Sequence, residues 1–261
     1  DFRGSRARPT MTPSKPASEP KALAANPARA FADRIKAMQS DDELRKTQRY
    51  FKSGEGEYGH GDTFIGVRMG SIFALAKEFV AELAPKDFET LLESDIHELR
   101  VGALSAMAKQ YALKATTDER RKDLFDLYIR RHDRINNWDL VDLAAWHVVG
   151  PWLVDKPRAI LHKLSKSANM WERRTAVLAT FAFIRLGEFD DTLKIAKVLM
   201  KDKEVLNHKA AGWMLRVIGD KDRKVLNAFL EEHAAKMQRA MLSNAIEKFS
   251  AADKAHYRAL T

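Results

Sequence analysis

The chain has 261 residues, with 45 Lys and Arg against 36 Asp and Glu, a formal charge of +9 and no cysteine. Disulfides and thiolate metal sites are therefore excluded, and no apolar run reaches the roughly 18 residues that span a bilayer. The positive balance favours a polyanionic partner, because a net positive field attracts phosphates. The length allows one or two domains with a sizeable core. The basic N-terminus lacks the apolar segment of a secretory signal, so a cytoplasmic protein that keeps off the membrane is expected.

Residues 1–22 are rich in Pro, Ser, Arg and Ala and nearly devoid of large apolar side chains. Such a segment cannot bury enough surface to offset its ordering entropy, so it reads as a disordered basic tail, with Met11 an alternative start. Residues 23–261 read as a single domain. Helix begins at Asn26-Pro27, an N-cap followed by proline at the first helical position. Ser40-Asp41-Asp42-Glu43 reads as a capping box opening a second helix that runs to about Lys52. Residues 53–62 carry four glycines and three acids and lack a Gly-Lys-Ser/Thr ending. That stretch is a poor phosphate cradle and an ordinary flexible connection.

From Phe64 onward, apolar residues recur at spacings of three and four, as in Ile72, Leu75, Ala76 and Phe79, and in Leu99, Ala103, Leu104 and Met107. Helix breaks are expected at Ala84-Pro85, Ser94-Asp95, Thr116-Thr117-Asp118, Asn136-Asn137, Gly150-Pro151, Asp155-Lys156-Pro157, Asn169, Gly187, Asp202 and Gly219-Asp220. No segment alternates like a strand, so the fold class is all-α. Trp138 lies 33 positions before Trp171, and Trp171 lies 35 before Leu206. Periods of this size in helix pairs indicate an α-solenoid of HEAT-like repeats, whose concave face, if basic, suits duplex DNA. An irregular helical domain with even helix lengths is the competing expectation.

Three helix starts stand out, at Asn137-Trp138, Asn169-Met170-Trp171 and Asn207-His208-Lys209. Set side by side, they would aim Trp138, Asp142, Arg174, Lys209 and Trp213 into one groove. Trp138 and Asp142 are four apart and share a helix face. Trp146 and Trp152, among Val148, Val149 and Leu153, read as core, and Trp171 as packing at a repeat seam. For Trp138 and Trp213, core and function both remain open. Asp142 lies between Val141 and Leu143, where an unpaired carboxylate is costly. It either faces a groove or forms a structural bridge to Arg174. Asp139 sits in a first helical turn, where the helix dipole favours it. His147, His162 and His208 have no metal-ligand spacing, and no catalytic triad or paired glycosidase carboxylates are visible. No metal or cofactor is implied.

The segments Asn137-Trp138-Asp139-Leu140-Val141-Asp142, Trp171-Glu172-Arg173-Arg174-Thr175-Ala176 and Lys209 to Arg216 resemble the signature helices of the AlkD-type DNA alkylation repair family, which are HEAT-like-repeat DNA glycosylases. The resemblance runs from about Ala30 to Tyr257. It implies that Trp138 and Trp213 pack on the deoxyribose of a damaged nucleotide, that Asp142 is the single catalytic carboxylate, and that Arg174 holds the DNA backbone. Tyr50 matches a tyrosine on the DNA-facing N-terminal helix, while Arg173 and Lys209 would add backbone contacts. After Phe64-Ile65-Gly66-Val67 the family often has a proline and basic residues, whereas this chain reads Gly70-Ser71-Ile72-Phe73.

The implied reaction is hydrolysis of the N-glycosidic bond of N3- or N7-alkylpurines, such as 3-methyladenine and 7-methylguanine, in double-stranded DNA. A cationic base leaves as a neutral one, so no general acid is needed and one carboxylate suffices. The resemblance further implies a monomer that grips the backbone without flipping the base, nucleoid-associated when on DNA, and the sequence has no obvious base pocket. Two alternatives stay open: a non-catalytic module binding damaged or branched DNA, and a protein-binding solenoid scaffold.

Overall fold

The computed structural model describes residues 26–52 and 54–260, so the expected tail over residues 1–22 and the alternative start at Met11 lie outside the described residues. Among the described residues the architecture is all-α and repetitive, with no strand beyond one isolated bridge between Thr63 and Ile96. No helix there is long and apolar enough to cross a membrane. The helices that matter for the site are α1 (Pro27–Ala37), α2 (Asp41–Phe51), α3 (Met69–Glu78), α4 (Pro85–Leu92), α5 (His97–Ala112), α6 (Asp118–Arg130) and α7 (Trp138–Ala144). There follow α8 (Gly150–Trp152), α9 (Ala159–Leu164), α10 (Met170–Ala179), α11 (Phe181–Ile184), α12 (Asp190–Leu199), α13 (Val205–Lys221), α14 (Arg223–His233), α15 (Arg239–Ala245) and α16 (Ala251–Arg258). One row of helices packs in succession, α3 on α5, α5 on α7, α7 on α10, α10 on α13 and α13 on α15. The intervening helices α4, α6, α9, α12 and α14 cover that row.

Local chemistry accounts for many of the ends. Asn26 accepts the backbone N–H of Arg29 at 2.9 Å, and proline follows it. Thr117 caps α6 and Asn169 caps α10, accepting from Arg120 and Trp171. Helix α5 is buried on nearly every side, as befits a helix enclosed by neighbours. Its Glu98 carboxylate accepts the backbone N–H groups of Ile65 at 3.1 Å and Gly66 at 2.8 Å, which docks the segment before α3. Gly66 has φ +78°, and a Cβ there would lie 2.3 Å from the Ser40 carbonyl oxygen, so only glycine suits the position.

The structure departs from the sequence expectations at several points. Ser40 precedes α2, but its side chain makes no capping bond. Its backbone N–H donates to the Gly66 carbonyl instead, at 2.8 Å, and Glu43 pairs with Lys46. Helix α13 starts at Val205, so Asn207 lies within its first turn and sends its amide to the Met170 carbonyl and the Asp202 carboxylate. The break expected at Gly150-Pro151 is absent. Helix α7 runs through a π turn, Ala145–Val149, directly into α8. A Cβ on Gly150 would lie 2.2 Å from the Ala179 carbonyl oxygen. The glycine therefore serves close packing on α10 rather than chain reversal. The glycine-rich stretch is also no loose connection, because Asp62 and Tyr58 within it are both anchored.

Candidate active site

Asp142 is held by Arg174 in a two-pronged pair, Nε to Oδ1 at 2.8 Å and Nη2 to Oδ2 at 2.9 Å. The third nitrogen, Nη1, donates to the Leu206 carbonyl at 2.8 Å. This geometry fixes the plane of the carboxylate, as bidentate guanidinium pairs do. It also joins α7, α10 and the start of α13. Arg174 is 7% exposed and Asp142 is 20% exposed, so the acid is clamped from behind and remains open in front. Burial pushes the Asp142 carboxyl above its ordinary range while Arg174 pulls it down. Both oxygens accept from the guanidinium, which favours the ionised form. Each keeps a second lone pair for another partner.

In front of Asp142 lies a cavity of about 660 Å³. Trp138, Trp146, Phe51, Tyr50, Phe73 and Leu143 form much of its wall, with Lys46 and Arg68 also lining it. Trp138 and Asp142 thus share one face of α7, as their spacing requires. Trp138 stacks on Phe51 with centroids 5.6 Å apart and meets the edge of Tyr50 at 5.7 Å. Tyr50 is 64% exposed, so its ring is open to a large ligand. A cleft of this size was not expected from the sequence. Its walls come from α2, α3, α7 and the π turn, and their meeting is a tertiary event.

Trp213 does not line this cavity. It lines an adjoining hollow of about 330 Å³ together with Arg174, Lys209, Arg216 and Asn244. The two hollows meet at a shared partition. Trp146 lines the first and sits edge-on to Trp213 at 5.0 Å, while Arg174 lines the second and holds Asp142 of the first. Trp146 is therefore a site residue and not the core residue its apolar neighbours indicate. The π turn re-registers the helix just after Asp142, and such turns are frequent at functional sites. Trp152 is likewise only half-buried, with the Lys156 ammonium 3.9 Å above its ring.

Lys209 is exposed beside Arg174 and has no ion-pair partner among the described residues. Arg173 is differently placed. Its guanidinium pairs with Asp202 at 2.7 and 2.9 Å and donates to the Ser167 and Ala168 carbonyls. It serves the joint between repeats. Among the described residues, no three His, Asp or Glu side chains come together as a metal ion requires.

Beneath Trp138 a buried charge network, not visible in the sequence pattern, seats the start of α7. His97 faces Asp62 through Nδ1 at 3.1 Å and Asp139 through Nε2 at 2.8 Å. Burial opposes its charge, but the two carboxylates outweigh it and raise the imidazole to about 9. Asp62 is held well below the usual carboxylate range, since His97 and Arg100 overcome its burial. Arg100 reaches Asp62 at 2.6 Å and also bonds Asn136. Asn136 donates to Asp62 at 3.0 Å. Asp139 is structural, as its place in the first turn indicates, though its partner is a histidine as well as the helix dipole.

Fold and site together define an all-α helical-repeat protein whose successive packed helices carry one clamped carboxylate among half-buried indole rings and an exposed phenol. The model of the DNA alkylation repair enzyme family matches residues 32–249, most of the chain, and the protein belongs to that family. A solved structure described as a predicted DNA alkylation repair enzyme from Enterococcus faecalis aligns with a TM-score of 0.63 at 16% identity, covering 82% of this chain and 98% of that one. At that identity the likeness speaks for the fold alone. Comparison with curated proteins finds no match. Membership makes this a DNA repair protein with DNA as its partner.

Proposed function

We propose that the protein is a DNA glycosylase that releases N3- and N7-alkylpurines from duplex DNA, with Asp142 as its catalytic carboxylate. The observation that carries this reading is the Asp142–Arg174 clamp, which presents an ionised, oriented acid to an indole-walled cavity. The C1′–N bond breaks with its electron pair going to the base, whose positive charge is thereby cancelled. No proton donor is needed. The sugar gains oxocarbenium character, which the Asp142 carboxylate stabilises from a fixed position, and pre-oriented charge of this kind carries much of enzymatic rate enhancement. The electron-rich face of Trp138, which lines the same cavity, adds cation–π attraction, while Trp213 in the adjoining hollow would pack on the backbone beside it. Water then attacks C1′, oriented by Asp142, and its proton passes to the carboxylate and on to solvent. Burial, by raising the carboxyl, makes it a better acceptor.

Arg174 retains N–H groups beyond those used on Asp142 and Leu206, and with Lys209 it lines the second hollow. Both are proposed to hold the DNA backbone beside the lesion, with Tyr50 packing from α2. The cavity wall is largely aromatic and aliphatic, with Glu43, Lys46, Thr47, Arg68 and His147 among its polar members. Its aromatic faces suit a grip on sugar and backbone, and the base is proposed to stay near the stack. Action as a monomer on DNA inside the cell completes the reading.

The test is base release from methylated duplex DNA. Asp142→Asn keeps the shape and a hydrogen bond to Arg174 but removes the charge, and should slow release by about 10²–10³ while leaving DNA binding intact. An Asp142→Asn protein as fast as the parent would overturn the assignment. The clamp also favours a second reading, because a bridge between repeats has the same geometry in a non-catalytic DNA-binding module. Salt-sensitive binding with no base release from the parent protein would select it.

A further inference from the structure

Tyr58 has no part in the chemistry described above, yet it touches three pieces of the site. It lies in the glycine-rich loop between α2 and α3. The Trp138 indole N–H donates to its phenol oxygen at 3.3 Å, and the phenol O–H donates to the Tyr50 carbonyl at 3.5 Å. Its ring sits edge-on to Trp171 at 6.3 Å, in the first turn of the helix that carries Arg174. Burial raises the phenol, so it stays neutral and can accept and donate at once.

The loop that carries it is secured on both sides. Gly59 donates to the Lys52 carbonyl at 3.3 Å, and Thr63 donates to the Asp95 carbonyl at 3.2 Å. Asp62 is locked by His97 and Arg100. The phenol is therefore delivered by a fixed segment and not by a wandering one.

We propose that Tyr58 is a positioning residue, which sets the rotation of the Trp138 indole so that its face meets the sugar. The indole has one donor, and a partner for it fixes the ring plane in a way that stacking on Phe51 alone does not. Resting as it does on the glycosylase reading, the proposal predicts an effect on the chemical step and not on DNA affinity.

Single-turnover base release and DNA binding are compared for the parent, Tyr58→Phe, Trp138→Phe and the double variant. Tyr58→Phe keeps the ring against Trp171 and removes only the hydroxyl. It should slow release about five- to tenfold, the worth of one neutral hydrogen bond, with the DNA Kd unchanged. In the Trp138→Phe background, which has no indole N–H, the same change should have no further effect. Three results would each overturn the proposal: an unaltered rate in Tyr58→Phe, a loss confined to DNA affinity, or an equal loss in the Trp138→Phe background. A second measurement is independent of catalysis. The indole N–H resonance of Trp138, identified by its disappearance in Trp138→Phe, should shift in Tyr58→Phe. A resonance that stays in place refutes the contact even if the parent releases no base, so failure of the glycosylase reading and failure of this proposal are told apart.

Discussion

Replacing Arg174 with glutamine separates its structural work from that of Asp142. Two charge-assisted bonds to the carboxylate and one to the Leu206 carbonyl disappear. Breaking a buried ion pair by removing one partner costs about 3–5 kcal/mol, because the other charge is left uncompensated. Two features lower that figure. Asp142 is 20% exposed, so water reaches it, and glutamine can replace one bond. A loss of about 3 kcal/mol near neutral pH is the expected result.

The pH dependence is more diagnostic than the magnitude. Without Arg174 the carboxyl keeps its burial and loses the partner that lowers it, so its folded pKa lies further above its unfolded value. The folded variant then binds more protons than the unfolded chain, and its stability falls as pH rises through that window. Urea unfolding of Arg174→Gln should therefore show a deficit that shrinks as the pH is lowered toward about 5. Adding Asp142→Asn should recover part of the loss at neutral pH, since no charge remains to be stranded. A deficit under about 1 kcal/mol that does not vary with pH would show that the clamp is solvent-screened, as exposed ion pairs are, and would remove the basis for a pre-oriented acid.

Two further outcomes follow from the geometry. His97 titrates near 9 in the folded chain against an ordinary 6.5, so its contribution is fully present below 6.5 and lost as pH rises through 9. The loss is about 3 kcal/mol at most. His97→Gln should flatten the alkaline limb of urea-unfolding curves, and a limb that persists would assign it to another group. In DNA titrations against salt, Lys209→Gln should reduce the log–log slope by about 0.9, the share of one phosphate, whereas Arg173→Gln should leave the slope alone because its guanidinium is held by Asp202. Equal slope changes in both would place Arg173 on the DNA and break the distinction.

Helical character, the positions of Asn26, Asn137 and Asn169 at helix starts, and the shared face of Trp138 and Asp142 were all legible in the amino-acid order. Each depends on neighbours within a turn or two, where backbone geometry and capping act. The Asp142–Arg174 pair was legible as one of two alternatives, because repeat spacing brings like positions of adjacent repeats together. What local pattern does not encode is which side of a residue meets water. Trp146 sits among valines and reads as core, yet a π turn and the close approach of Gly150 to α10 turn it into the wall between two hollows. Trp213 falls in the second hollow, and Arg173 is drawn off by Asp202, though its neighbour Arg174 faces the acid. Tyr58 reads as part of a flexible loop until charges from Asp62, His97, Arg100 and Asp139 tie that loop down. Helices and their ends form from contacts close in sequence, while the cavity, its charges and the seating of Trp138 arise only when segments dozens of residues apart exclude water together.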